Sequence, residues 1–259
     1  MFKVHVGIDY SGAQVPDSRL PGLQVYRSVG GMPDRVCPPR AAAKGRSANW
    51  TRREIADWMV ELARSGQSFI AGIDHGFSFP IDYFQRYGLN CWSDFLSDFV
   101  QYWPTDRLNT TVDSIRRQRS LLPDRSGGNT EFRLTEKWSS SAKSVFHFDV
   151  QGSVAKSTHA GLPWILRLKN EVGDRLHFWP FEGWQIPAGK SVVAEVFPSI
   201  FRNRYLREGR KPDQQDAYAI ARWLYESDQH GFLESFFAPR LTDDQLRQAR
   251  LEGWILGLM

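Results

Sequence analysis

Residues 2–9 alternate along the chain, with Phe2, Val4, Val6 and Ile8 on one face and Lys3, His5, Gly7 and Asp9 on the other. A period of two sends successive side chains to opposite faces of a strand, so this segment is expected to be a strand with one face in a core. Thr51-Arg52-Arg53-Glu54 has the form of a capping box, and Ile55, Trp58, Met59, Leu62 and Ala63 follow at helical spacing up to Gly66. Next comes the short apolar run Phe69-Ile70-Ala71-Gly72-Ile73-Asp74, the pattern of a strand covered on both faces in a parallel sheet. Strand, helix, strand in that order implies a crossover.

Further along, residues 92–103 read as an amphipathic helix ended by Pro104. A helix over about residues 162–170 and strands at 176–179 and 192–197 are expected, then a helix over 212–226 with Ala217, Ile220, Ala221 and Leu224 on its apolar face. Thr242 with Gln245 caps a last helix. Residues 105–146 carry arginines, the glycines Gly127 and Gly128, and no sustained period, which marks an insertion or flap inside one domain spanning 1–259.

The apolar strands carry acids at or near their C-terminal ends: Asp9, Asp74 and Glu195. In open α/β sheets ligands bind at that edge, where the strands diverge into loops. Asp213 and Asp216, three residues apart, share a face in the first turn of the expected helix at 212–226. Carboxylates gathered without a basic partner repel one another unless a cation sits among them, and hard cations such as Mg²⁺ or Mn²⁺ take oxygen ligands. Each acid has a structural alternative. Asp9 and Asp74 could hold turns through their own backbone, Asp213 could be an N-cap, and Glu195, inside an apolar run, needs either a basic partner or a metal.

A chain of 259 residues, 41% of them hydrophobic, can bury a full-sized core. It holds no apolar run of about 18 residues, so membrane spanning is not expected and the chain reads as cytoplasmic. Cys37 and Cys91 have no metal-ligand spacing and are read as reduced thiols. The net charge is only +4, but the basic residues cluster: Arg35, Arg40, Lys44, Arg46, Arg52 and Arg53; Arg116, Arg117, Arg119 and Arg125; Arg202, Arg204, Arg207, Arg210 and Lys211. Such clusters suit phosphate backbones, and Arg116, Arg117, Arg119, Arg202, Arg204 and Lys211 are the expected nucleic-acid contacts. Gly189-Lys190-Ser191 lacks the earlier glycine of a phosphate loop and precedes a strand, and no G-x-S-x-G, G-x-G-x-x-G or H-E-x-x-H occurs. His147 and His159 stand alone, and the tryptophans, Trp179 and Trp184 among them, read first as packing residues.

Gly7-Ile8-Asp9, Gly72-Ile73-Asp74 with Pro80, Trp179-Pro180-Phe181, Ala194-Glu195-Val196-Phe197-Pro198, Asp216-Ala217 and Glu252-Gly253-Trp254-Ile255-Leu256-Gly257 occur in this order. Together they resemble domain-of-unknown-function family 429, described as ribonuclease H-like nucleases. The resemblance implies an α/β ribonuclease H-like fold, a five-stranded mixed sheet flanked by helices. It also implies a catalytic acid set of Asp9, Asp74 and Asp216, with Asp213 and Asp216 similar to the paired acids of Holliday-junction resolvases. The function expected is hydrolysis of DNA or RNA phosphodiester bonds by a two-metal-ion mechanism, with Asp9, Asp74, Glu195, Asp213 and Asp216 as candidate ligands. A non-catalytic nucleic-acid or protein-binding module on the same fold, and a nucleotide phosphotransferase of the actin and sugar-kinase type, are the alternatives.

Overall fold

A computed structural model describes residues 1–39, 49–119, 125–139 and 141–259, apart from the side chain of Arg119. Its elements are β1 (Val4–Asp9), β2 (Gln24–Ser28), β3 (Asp34–Arg35), α1 (Arg52–Arg64), β4 (Phe69–Asp74), α2 (Ile81–Tyr87), α3 (Trp92–Tyr102), α4 (Val112–Arg119), α5 (Leu134–Trp138), α6 (Ala155–Val172), β5 (Leu176–Trp179), β6 (Ser191–Glu195), α7 (Pro212–Gln229), α8 (Leu233–Phe236) and α9 (Asp243–Glu252). The capping box forms at the head of α1, where Thr51 Oγ1 accepts from Glu54 N at 3.1 Å and Glu54 Oε2 accepts from Thr51 N at 3.1 Å. Thr242 and Gln245 cap α9 in the same way.

One mixed sheet runs through the molecule in the order β3-β2-β1-β4-β6-β5. β2 pairs antiparallel with β1 and β3, while β1, β4, β6 and β5 run parallel. Among the described residues the sheet has six strands, not the five that the resemblance implies. The chain lays β5 at the far edge and returns to place β6 between it and β4.

The two faces follow from strand parity. Val4, Val6 and Ile8 of β1 and Phe69, Ala71 and Ile73 of β4 join the cluster that holds α1, α3 and α6. Ile70, Val192 and Ala194 face the other way, against Ala217, Ile220, Ala221 and Leu224 of α7. α7 lies against the strands because glycines face it. A Cβ on Gly7 would stand 2.1 Å from the Ala217 carbonyl oxygen, and one on Gly72 2.7 Å from Ile220 Cγ2. No helix among the described residues is long and apolar enough to cross a membrane.

The segment 105–146 is anchored in the core through its described residues. Val112, Ile115, Val145 and Phe146 belong to the α1/α6-side cluster, and Arg133, Thr135 and Glu136 are buried. α6 begins at Ala155, well before the expected start, and carries Pro163 within it.

Candidate functional site

Asp9 and Asp74 end β1 and β4 as register partners. Partners on parallel neighbours point to the same face, and each aspartate lies two residues beyond the glycine that admits α7. Both carboxyls therefore project on the α7 side, just past the point where the helix meets the sheet. Asp216 is the fifth residue of α7, past its first turn, and immediately precedes Ala217, the residue whose carbonyl oxygen crowds Gly7, so the N-terminal end of α7 reaches the same edge. Lys211, not Asp213, is the N-cap of α7, and its backbone N–H donates to Gln214 Oε1 at 2.9 Å. Asp213 is thus free of the capping role and adds its charge to the cluster.

The crowding shows in the acidities. Burial, then the charges of Asp74, Asp216 and Asp213, hold the Asp9 carboxyl well above the usual range. Burial, then Asp216 and Glu195, push Asp74 up to about 8. The two carboxyls stand close enough for each to shift the acidity of the other. Burial also raises Asp216, against the pull of Arg202. Asp74 Oδ1 and Asp216 Oδ1 are buried oxygens with no hydrogen-bond partner.

The loops that follow the two acids are fixed. Arg52, 1% exposed, donates to the carbonyl oxygens of Ser11, Ala13 and Gln14 at 3.0, 2.7 and 2.9 Å. A Cβ on Gly12 would meet the Lys156 carbonyl at 2.0 Å, so this loop rests on the first turn of α6. Thr158 Oγ1 in the next turn accepts from Gly76 N at 2.8 Å. His75 is buried beside Tyr10 and Phe77, and burial pushes its pKa down to about 4, leaving the ring neutral.

Glu195 departs from the expected metal set. It is the register partner of Ile73, not of Asp74, so its side chain faces the α1/α6 side. There Arg133 grips it with two bonds of 2.6 and 2.7 Å, and Phe77 N donates to it at 3.2 Å. Burial works against the charge of Arg133, and the Glu195 and Glu136 carboxylates outweigh it and hold the guanidinium firmly protonated. Of the two partners that Glu195 required, it has the basic one. Arg133 itself was not singled out in the sequence, because it sits in a polar stretch without period. Its nearest signal is Glu136, three residues on and bonded to it at 2.9 Å.

The arginine clusters divide. Arg202 Nη1 donates to Asp216 Oδ2 at 3.2 Å, while Arg204, in the same short turn, and Lys211, the N-cap of α7, are exposed. Arg210 is held by Gln215 and Glu208 and stacks 3.6 Å over Tyr218, a packing role. Arg116 pairs with Asp149 at 3.0 Å and lies over Phe148. It also stands one turn from Asp113, which binds Lys156 at 2.9 Å, so α4 approaches the same sheet edge. Arg117 is exposed; the Arg119 side chain and Arg40, Lys44 and Arg46 lie outside the described residues. Arg35 donates to Gln24, the antiparallel register partner of Asp9.

The donors fit a hard divalent cation in kind: all are carboxylate oxygens, and two of them are buried without partners. Among the described residues, however, no three His, Cys, Asp or Glu side chains are arranged to hold an ion, and Asp216 is engaged by Arg202. Comparison with protein-family models, curated proteins and solved structures gives no match. The family resemblance therefore rests on the motifs alone.

Proposed function

We propose that this chain is a Mg²⁺- or Mn²⁺-dependent nuclease of ribonuclease H-like architecture that hydrolyses phosphodiester bonds of DNA or RNA. The observation that carries the reading is the in-register Asp9–Asp74 pair, with Asp216 brought beside it by α7 and buried oxygens left without partners. The strand order β3-β2-β1-β4, with β2 antiparallel, supports the architecture; β6 then takes the fifth position and β5 is an added edge. Fold analogy alone assigns no chemistry, so the reading stands on the acids.

Asp9, Asp74 and Asp216 would hold the ions, with Asp213 close by. When bound, such ions supply the positive charge that activates water and stabilises the leaving oxygen of a phosphodiester. The protein's own share is orientation. Arg52 and Thr158 fix the loops behind Asp9 and Asp74, Glu195 and Arg133 neutralise each other behind Asp74, and Arg202 on Asp216, with the exposed Arg204 and Lys211, would offer cations to phosphate. A non-catalytic nucleic-acid module gains support from one fact: no ready three-ligand ion site exists among the described residues.

Incubation of the full chain with Mn²⁺ or Mg²⁺ and a panel of single-stranded, duplex and branched DNA and RNA separates the two. Cleavage abolished by Asp9→Asn and by EDTA is the expected result. Metal-independent, salt-sensitive binding that survives Asp9→Asn, with every substrate intact, would establish the module instead.

A further inference from the structure

Arg202 lies in the short 3-10 turn Arg202–Arg204 that follows β6, and its guanidinium spans two environments. One end bonds Asp216, whose side chain is 16% exposed, while the Arg202 side chain is 45% exposed. Its charge acts on Asp74 as well as Asp216. Arg207 also acts on Asp216, but the bonded cation is Arg202, and the oxygen it occupies belongs to the carboxylate whose other oxygen is buried and unpartnered. An ion pair with one end open to water exchanges readily, because solvent screens it. A planar guanidinium also grips phosphate with two parallel bonds.

We propose that Arg202 is a displaceable counter-ion of the carboxylate site: it covers Asp216 until a divalent cation takes that carboxylate, and then turns its guanidinium to the phosphate of an anionic substrate. This inference rests on the metal-dependent reading above. The released guanidinium makes the loaded site a better phosphate receptor, and a phosphate that captures Arg202 uncovers Asp216 for the cation. Cation and polyanion thus bind with positive coupling, and linkage makes the coupling equal in both directions. Arg202 selects for substrates that carry a phosphate next to the scissile position.

The test measures free Mn²⁺ by its electron paramagnetic resonance signal during titration of the full chain, with and without a hexameric oligothymidylate. In the wild type the oligonucleotide is expected to tighten Mn²⁺ binding by roughly five-fold or more. Arg202→Gln is expected to bind Mn²⁺ alone more tightly than wild type and to lose the tightening by oligonucleotide. Arg202→Lys, which keeps the charge without the fork, is expected to retain weak Mn²⁺ binding in the absence of oligonucleotide and to recover only part of the coupling. If wild type and Arg202→Gln bind Mn²⁺ alike and respond alike to the oligonucleotide, Arg202 is an ordinary surface ion pair and the proposal falls while the metal site stands. If wild type and both Arg202 variants fail to bind Mn²⁺, the metal site falls and takes the proposal with it.

Discussion

At the scale of single residues, the acid cluster weakens the fold that carries it. Asp74 keeps its proton up to about pH 8 in the folded chain and loses it near pH 4 when unfolded. A carboxyl whose folded pKa is raised favours the native state at low pH, and that contribution is lost as pH rises through the folded value. Stability of the metal-free chain is therefore expected to fall between about pH 4 and pH 8, contrary to the rise produced by salt-bridged carboxylates. Asp228 is a local counterexample: burial raises it, but bonds from the His5 ring and Phe2 N outweigh that and lower it. Asp9→Asn removes one of the two buried acids without changing shape, so it is expected to stabilise the metal-free protein by on the order of 1–3 kcal/mol at pH 7.5. Chemical denaturation in EDTA measures this, and a destabilised Asp9→Asn would show that the carboxyl is satisfied by the fold itself.

At the scale of elements, the position of α7 decides whether Asp216 reaches Asp9. Gly7 has an ordinary strand backbone, so its need is for space: an added Cβ would stand 2.1 Å from a helix carbonyl. Gly7→Ala must push α7 off the sheet or bend β1. It is expected to cost about 1–3 kcal/mol by overpacking, and to reduce Mn²⁺ binding more than a core substitution of similar cost far from the site, such as Leu168→Ala. The same glycines explain how much of the site was legible in the sequence. Gly7-Ile8-Asp9 and Gly72-Ile73-Asp74 repeat one phase, glycine under the helix and acid beyond it, and the structure pairs them residue for residue. Glu195 is one residue out of that phase: Ala194 pairs with Gly72, so Val196 stands where a third aligned acid would have to be. Apolar content identified β6 as a strand, but only its register fixes the face, and register is a long-range property. The short strands β2 and β3 and helices α4 and α5 escaped because few of their side chains repeat at any period. Tertiary contacts form them.

Across the whole molecule, one buried guanidinium ties the polar middle segment to the sheet. Arg133, fully buried at the start of α5, bonds Glu136 of its own turn, Glu195 of β6 and the Glu252 carbonyl at the end of α9. Glu252 accepts in return from the backbone N–H groups of Ile81 and Leu134, joining α2, α5 and α9 at one side chain. The network lies directly behind Asp74, whose carboxyl feels the charge of Glu195. Removing Arg133 leaves Glu195 and Glu136 buried without their cation, and breaking such a pair costs about 3–5 kcal/mol. Arg133→Met is expected to lose that much in denaturant unfolding. Arg133→Met combined with Glu195→Gln and Glu136→Gln removes both stranded charges and is expected to recover a large part of it, because the penalty belongs to the unpaired carboxylates more than to the lost contact. The triple variant keeps Asp9, Asp74 and Asp216 in place, so its Mn²⁺ affinity is expected to stay within a few-fold of wild type. A large loss of Mn²⁺ binding in a stable triple variant would instead make Glu195 part of the ion site, across the sheet from the face where parity places the other acids.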